Sequence, residues 1–454
     1  MKVGLISLGC ARTLVDSEVA LGSLKKAGWQ IMPDVRQAEV AIVNTCGFVE
    51  DAKRESIETI LRLCEEKKKG RLSAVVVLGC LAQTYGKELR KEIGELDGII
   101  GADSFEDLPR LLGPLLESRK RKKVFEVRGR PRYLLNEDSP RESLTPAHLA
   151  YVKISEGCLN ACSYCVIPRM KGPHRSRPAE SILAEIRAVA SARRLSEINL
   201  IGQDTAAYGF DRGRSFELAG LLRKVDALGI APWVRLLYAH PGHVTEALIE
   251  ALAECPSLCK YVDFPIEHSH DAVLARMNRG VTREKMLWGI RRLRERMPDV
   301  AIRTTVIVGF PGETEEEFRD LLEFLEEIRF DRLGAFIYSD EELARSFNLP
   351  GKIPDGLKKE RFEAVMETQQ EIAREKNGRF LGKTLKVLIE EKDPAGDVYY
   401  GRTQADAPEV DGQVVVHADE PLGTGDFIDV RVTDTLEYDL VGVPASVPLE
   451  IRAR

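Results

Sequence analysis

Ser155-Glu156-Gly157-Cys158-Leu159-Asn160-Ala161-Cys162-Ser163-Tyr164-Cys165 places three cysteines within eight residues, directly behind the strand-like run 150–155. Three thiolates on one short loop can take three corners of a cuboidal iron–sulfur cluster, leaving the fourth iron without a protein ligand. A structural zinc site is the alternative, but zinc takes four tetrahedral ligands. No fourth Cys or His follows at a usual spacing; His174 is the nearest, and Pro173 with a basic run marks it as loop.

The run 150–155 opens a series. Strand candidates at 150–155, 197–202, 233–239, 261–265, 301–309 and 332–338 are separated by helical patterns near 179–192, 216–227, 243–253, 282–296 and 314–328. This alternation predicts right-handed crossovers and a partial (βα) TIM-like barrel over 147–379, closed by a long helix at about 357–378. Upstream, residues 1–118 alternate strands (2–8, 39–45, 74–79, 98–101) with helices (15–27, 50–68, 82–94, 105–117), which argues for a parallel α/β sheet with helices on both faces. Between the two, 119–146 reads as an exposed linker. Its first part, Arg119 to Arg132, carries eight Lys/Arg against Glu126 alone. A solvated linker is the preferred reading of that run and contact with RNA the other. Over 380–449 the pattern changes to strands alone (384–391, 398–403, 412–417, 426–433), which predicts a small all-β barrel. The chain is therefore expected to be α/β in three parts.

Composition narrows the class. A chain of 454 residues with 44% hydrophobic and 30% charged content is expected to be globular, and its net charge of −6 argues against stable nucleic-acid binding by bulk electrostatics. No signal-peptide pattern or membrane-length apolar run is present, so the expected location is the cytoplasm. Thiols stay reduced there, and nine cysteines need an explanation other than disulfides. The 384–449 region is the most acidic, with 14 Asp/Glu against 4 Lys/Arg, a net of −10. Such a barrel repels phosphate and attracts basic partners.

Cys10, Cys46 and Cys80 share one context: Leu8-Gly9-Cys10, Asn44-Thr45-Cys46-Gly47 and Leu78-Gly79-Cys80 each stand just past a strand candidate. Ligands gather at that edge of an open α/β sheet, so three converging thiols suggest a second cluster with an open iron. Three buried structural cysteines are the alternative. Cys64, Cys255 and Cys259 read as packing thiols. At the ligand face of the barrel, Gln203, Arg235, Gly309 and Gly312 are the candidate cofactor contacts, joined by Tyr164 in the cysteine loop, for which plain packing is the competing account. For Gly309 and Gly312 a helix-entry turn is the competing account. Glu313 reads as a helix N-terminal charge rather than a base, and His240 as a hydrogen-bonded structural histidine.

CxxxCxxC behind a first barrel strand resembles the radical S-adenosylmethionine (SAM) superfamily. With the N-terminal triad and the acidic barrel, the whole chain resembles the methylthiotransferase family: a cluster domain, a radical SAM domain and a TRAM barrel. Leu14-Val15-Asp16-Ser17-Glu18, Tyr151 to Gly157, Gln203-Asp204-Thr205-Ala206-Ala207-Tyr208-Gly209 and Ala405 to Gly412 follow its RimO branch, which modifies an aspartate of small-subunit ribosomal protein S-twelve. The other branch, MiaB-like, modifies tRNA adenosine, and the acidic barrel argues against it. Three departures stand out: Ala11-Arg12-Thr13 for the usual Pro-Lys-Asn, Glu267 for glutamine, and Asp340 for proline.

The resemblance implies two [4Fe–4S] clusters, on Cys158, Cys162 and Cys165 and on Cys10, Cys46 and Cys80, with SAM as both radical source and methyl donor. It also implies sulfide or polysulfide on the N-terminal cluster. A 5′-deoxyadenosyl radical would take hydrogen from the aspartate β-carbon, a bond no side-chain base breaks at neutral pH. Implied partners are the basic protein S-twelve, free or on the ribosomal particle, and an electron donor such as flavodoxin. Two rivals remain: a two-cluster electron carrier, which four cysteines per cluster would suit better, and a radical SAM dehydrogenase using the second cluster as a relay.

Overall fold

The computed structural model describes residues 1–117 and 123–446. Its N-terminal part is a six-stranded parallel sheet in the order Gln30–Ile31, Lys2–Ser7, Val40–Thr45, Ala74–Gly79, Gly98–Ile100, Val124–Glu126. Val40–Thr45 and Ala74–Gly79 are buried along their whole length, which is why they read as unbroken apolar runs. The pleat still sorts them. Val40 and Ile42 pack with the helices Ala11–Lys26 and Leu108–Glu117, while Ala41 and Val43 pack with Glu50–Lys68 and Cys80–Glu92.

The 119–146 segment is where the structure departs from the expected exposed linker. Residues 119–122 lie outside the described residues, but Val124–Glu126 completes the N-terminal sheet. Three residues are too few to show periodicity in sequence. Further on, the segment lies so close on the first helix that a Cβ at Gly22 would stand 2.5 Å from the Pro140 carbonyl. Arg141 is clamped between the buried carboxylates of Glu18 and Glu185, joining the sheet to the barrel.

The central part carries six parallel strands in chain order: Leu149–Lys153, Glu197–Ile201, Trp233–Leu236, Tyr261–Asp263, Ala301–Val308 and Arg332–Ile337. They form two three-stranded ladders. The Val234 N–H to Ser257 carbonyl bond (2.7 Å) and the Cys259 N–H to Val234 carbonyl bond (2.9 Å) link them. The helices Ala179–Ala192, Leu218–Asp226, Glu246–Glu254, Arg283–Arg296 and Glu315–Ile328 cover the outside, and the helix Asp355–Gly378 lies against the last strand. Among the described residues, no helix is long and apolar enough to cross a membrane.

Five strands, Thr384–Lys392, Val398–Arg402, Val414–His417, Phe427–Thr435 and Leu440–Pro444, close the C-terminal barrel. Its loop after Arg402 plugs the lower end of the central barrel. Arg402 pairs with Glu197 (2.7 Å) and Glu390 (2.6 Å), Arg303 with Asp411 (3.2 Å), and Arg332 with Asp406 (2.5 Å). Asp426 and Glu437 also pair with central-domain cations, Arg194 and Arg374. Asp406 and Asp411, buried in their pairs, therefore hold the domains together rather than add to the barrel's outer charge.

Arg235 belongs to this junction. It is fully buried, bonded to Glu197 (2.7 Å) and to the Gln404 carbonyl (2.8 Å), with its guanidinium over the Tyr261 ring. The expectation that it contacts a cofactor is corrected: its strand ends at Leu236, and the side chain is taken by the C-terminal barrel's loop.

Candidate functional site

The loop behind the first barrel strand is pinned at both ends. Ser155–Glu156 pairs antiparallel with Arg175–Ser176. Gly157 has φ +70°, and a Cβ there would stand 2.1 Å from the Pro173 carbonyl oxygen, so only glycine fits. The three thiols that follow are free, and two receive donors. Cys158 Sγ accepts from the Asn160 N–H (3.4 Å) and Nδ2 (3.7 Å), and Cys162 Sγ accepts from Arg279 Nη1 (3.6 Å). Burial and the nearby Asp204 push the Cys158 thiol up to about 11. Burial also raises Cys165. Such thiols become ligands by giving up their protons to metal binding.

The second triad stands on the N-terminal sheet edge. Gly9 and Gly79 have φ +96° and +95°, and the space around each is closed: a Cβ would meet Cys46 Cβ at 2.8 Å and Asn44 Oδ1 at 2.2 Å respectively. The Gly-Cys pairs are therefore what allow three strand ends to crowd together. Asn44 fixes the Cys10 turn by donating to the Thr13 carbonyl (3.0 Å) and Ser17 Oγ (2.8 Å). Burial alone would raise the Cys10 thiol, but the Arg12 guanidinium and the Thr13 N–H bring it down to about 6. Burial pushes Cys80 up to about 12, Lys171 opposes this, and Cys46 and Cys10 add to it.

The two cysteine-bearing units meet along one seam. Cys80 packs with Val166 and Met170, just past Cys165. Arg12, two residues after Cys10, donates to the Gly202 carbonyl at the end of the second barrel strand (2.9 Å) and lies 4.1 Å above the Tyr238 ring at the end of the third. Ligands of one tetrahedral zinc lie about 3.8 Å apart, given metal–sulfur bonds of about 2.3 Å. Among the described residues, the one set of three His, Cys, Asp or Glu ligand atoms all within 4.8 Å of each other is Asp204, His240 and His243. Neither triad is gathered as tightly as a single tetrahedral ion requires; three thiols apiece are the donor chemistry of an iron–sulfur cluster with one open iron.

The other candidates divide. Tyr164 is half-buried beside Phe310 and Tyr338. Gln203 stands half-buried at the strand end above Gly202. Gly309 and Gly312, both at positive φ, have the surroundings of a turn: the Gly309 N–H donates to Glu313 (3.0 Å), Lys358 lies over it, and the Gly312 N–H donates to the Gly351 carbonyl (2.7 Å). Glu313 also holds Arg361 (2.7 Å), so its carboxylate is fully engaged. His240 Nδ1 accepts from the Gly242 N–H (3.1 Å), and the His240 backbone N–H donates to Asp204 (3.2 Å). Cys64, Cys255 and Cys259 are buried in separate apolar clusters.

Several neighbours of the triads escaped the sequence reading. Asp204 accepts from Asn160 Nδ2 (2.9 Å) and binds His243 Nδ1 (2.6 Å). Burial would raise this carboxyl, yet the two histidines hold it well below the usual range. It orients Asn160 toward Cys158. Arg279 pairs with Glu267 (3.5 Å), whose backbone sits at φ +68°. Tyr238 is likewise held at φ +63°, its N–H bonded to Asp263 (3.0 Å). Positive φ in non-glycine residues next to a site is a signal that single-sequence reading cannot supply.

Comparison with known proteins agrees with this architecture. Three family models match: the Radical SAM superfamily over 152–325, Uncharacterized protein family UPF0004 over 2–101 and the TRAM domain over 381–444. Among solved structures, the radical SAM methyltransferase TsrM from Kitasatospora setae superposes with a TM-score of 0.57 at 16% identity, covering 76% of this chain and 77% of that one. The radical SAM enzyme OxsB gives 0.52 at 13%, covering 82% and 56%. At these identities the likeness establishes the fold. The fold and the cysteine loops thus define a radical SAM enzyme of the methylthiotransferase class.

Two relatives narrow the class further. The ribosomal protein uS12 methylthiotransferase RimO of Clostridioides difficile is 43% identical over 442 residues, 97% of this chain and 98% of that protein. That of Thermoanaerobacter sp. is 46% identical over 441 residues, 97% and 99%. The chain belongs to the RimO family.

Proposed function

We propose that this protein inserts a methylthio group at the β-carbon of an aspartate in ribosomal protein uS12, with one [4Fe–4S] cluster on Cys158, Cys162 and Cys165 and a second on Cys10, Cys46 and Cys80. The observation that carries this reading is the meeting of the two cysteine-bearing units along one seam, through Cys80 with Val166 and Arg12 with Gly202. Cys158, Cys162 and Cys165 would hold the cluster that with SAM would supply a 5′-deoxyadenosyl radical, and Cys10, Cys46 and Cys80 the one that would supply sulfur, from sulfide or polysulfide, with a second SAM as the methyl donor.

The chain's own residues hold, orient and exclude water. Asn160 and Arg279 aim N–H donors at the thiolates of Cys158 and Cys162, the contacts that tune a cluster's potential. Asp204 and Glu267 fix those two donors in turn. Lys153 and Lys171, both buried, lock the seam by pairing with Asp16 of the first helix. Rigid placement of this kind lowers the barrier for a reaction between groups carried on separate domains. The acidic composition of the C-terminal barrel suits a basic protein substrate, uS12 free or on the ribosomal particle. A small reductant such as flavodoxin would supply the electron.

The test is mass spectrometry of uS12 and of tRNA after incubation with anaerobically reconstituted enzyme, SAM, sulfide and a reductant. A methylthio group on a uS12 aspartate, with tRNA unchanged, is the expected result. Modified tRNA with unmodified uS12 would overturn the substrate assignment.

A further inference from the structure

We propose that Arg12 is the specificity-determining residue that binds the carboxylate of the target aspartate, and so presents its β-carbon between the two cysteine triads. This rests on the function proposed above and adds the residue that would recognise the substrate's charge.

A carboxylate brought out of water needs a fixed opposite charge. Most cations at this seam are already matched. Lys153 and Lys171 face Asp16 and Glu156, and Arg279 faces Glu267. Arg12 differs. Its partners are the Gly202 carbonyl, the Tyr238 ring and the Cys10 side chain, and among the described residues no carboxylate lies within ion-pair distance of it.

The guanidinium is also held ready. The Gly202 bond uses Nη1, and the Tyr238 ring, on a backbone fixed at φ +63°, covers one face. Its Nε is buried without a partner. The Nε side of a guanidinium, with one N–H from Nε and one from Nη2, is a two-pronged donor that matches the two oxygens of a carboxylate. The residue as a whole remains partly accessible, and its side chain reaches from the turn after Cys10 to the end of the second barrel strand. An aspartate bound there has its β-carbon one bond from the anchored carboxylate.

The test uses reconstituted wild-type protein, Arg12→Gln, Arg12→Lys and Cys10→Ala, with uS12 and a uS12 variant carrying asparagine at the target. Dissociation constants, iron content and 5′-deoxyadenosine formation are measured for each. Wild type is expected to bind the aspartate form about tenfold or more tightly than the asparagine form, the size of effect that hydrogen bonds to a charged group give. Arg12→Gln should bring that ratio to about one, and Arg12→Lys should restore part of it. Cys10→Ala, which keeps Arg12 but breaks the N-terminal triad, should retain the preference.

An absent preference in wild type, or a preference that survives in Arg12→Gln, overturns the proposal. So does its loss in Cys10→Ala, which would place Arg12 in the service of the cluster alone. Failure of the wider reading shows separately, as wild-type enzyme that leaves uS12 unmodified, and the proposal then falls with it.

Discussion

Cys158→Ala is expected to abolish 5′-deoxyadenosine formation, a loss on the order of a thousandfold or more, and with it all methylthiolation. The reason lies in the loop. Gly157 is wedged against the Pro173 carbonyl, so the chain cannot shift to bring another group into the empty corner. Asn160 would also be left pointing two donors at a methyl group. Two thiols on a pinned loop do not retain a cluster that three hold, and iron content should fall by the share of one cluster. Quantifying iron and, under reducing conditions with SAM, 5′-deoxyadenosine by chromatography checks both effects together.

Cys10→Ala is expected to separate the two halves of the reaction. The barrel triad stands on a different unit, held by its own short ladder and by Arg279, and none of those contacts involves Cys10. SAM cleavage should therefore remain within about twofold of wild type, whereas methylthio product should fall on the order of a thousandfold. The ratio of 5′-deoxyadenosine to methylthiolated uS12, measured in one reaction, reads this directly. Loss of both activities would mean that the triads form one cooperative centre. Persistent product would mean that sulfur does not come through the N-terminal triad.

Much of this was legible in the chain. Unbroken runs such as Val40–Thr45 and alternating segments such as Ala301–Val308 are long enough for periodicity to mark them, and all six strands of the central barrel fall where it does. Gly-Cys pairs at strand ends pointed to the second triad because the fold's topology gathers those ends. Elements of two or three residues, Gln30–Ile31 and Val124–Glu126, carry no such pattern and owe their form to the neighbours they pair with.

The site was less legible beyond its cysteines. Arg235 has the residue type and the strand of a ligand contact, yet the Gln404 loop, far along the chain, occupies it. The acidic count of the C-terminal barrel likewise overstated its outer charge, since Asp406 and Asp411 are buried against Arg332 and Arg303. Arg12, Tyr238 and Arg279 gain their places only when loops distant in sequence meet across the seam. Long-range contacts of this kind leave no local spacing to read.

The most direct measurement of the central claim follows one hydrogen atom. uS12 carrying deuterium on the β-carbon of its target aspartate is incubated with reconstituted enzyme, SAM and a reductant, and the 5′-deoxyadenosine is analysed by mass spectrometry. A radical made at the barrel triad and acting on an aspartate held at the seam predicts deuterium in 5′-deoxyadenosine, rising in step with methylthiolated uS12. Unlabelled 5′-deoxyadenosine accompanied by full methylthiolation would contradict it.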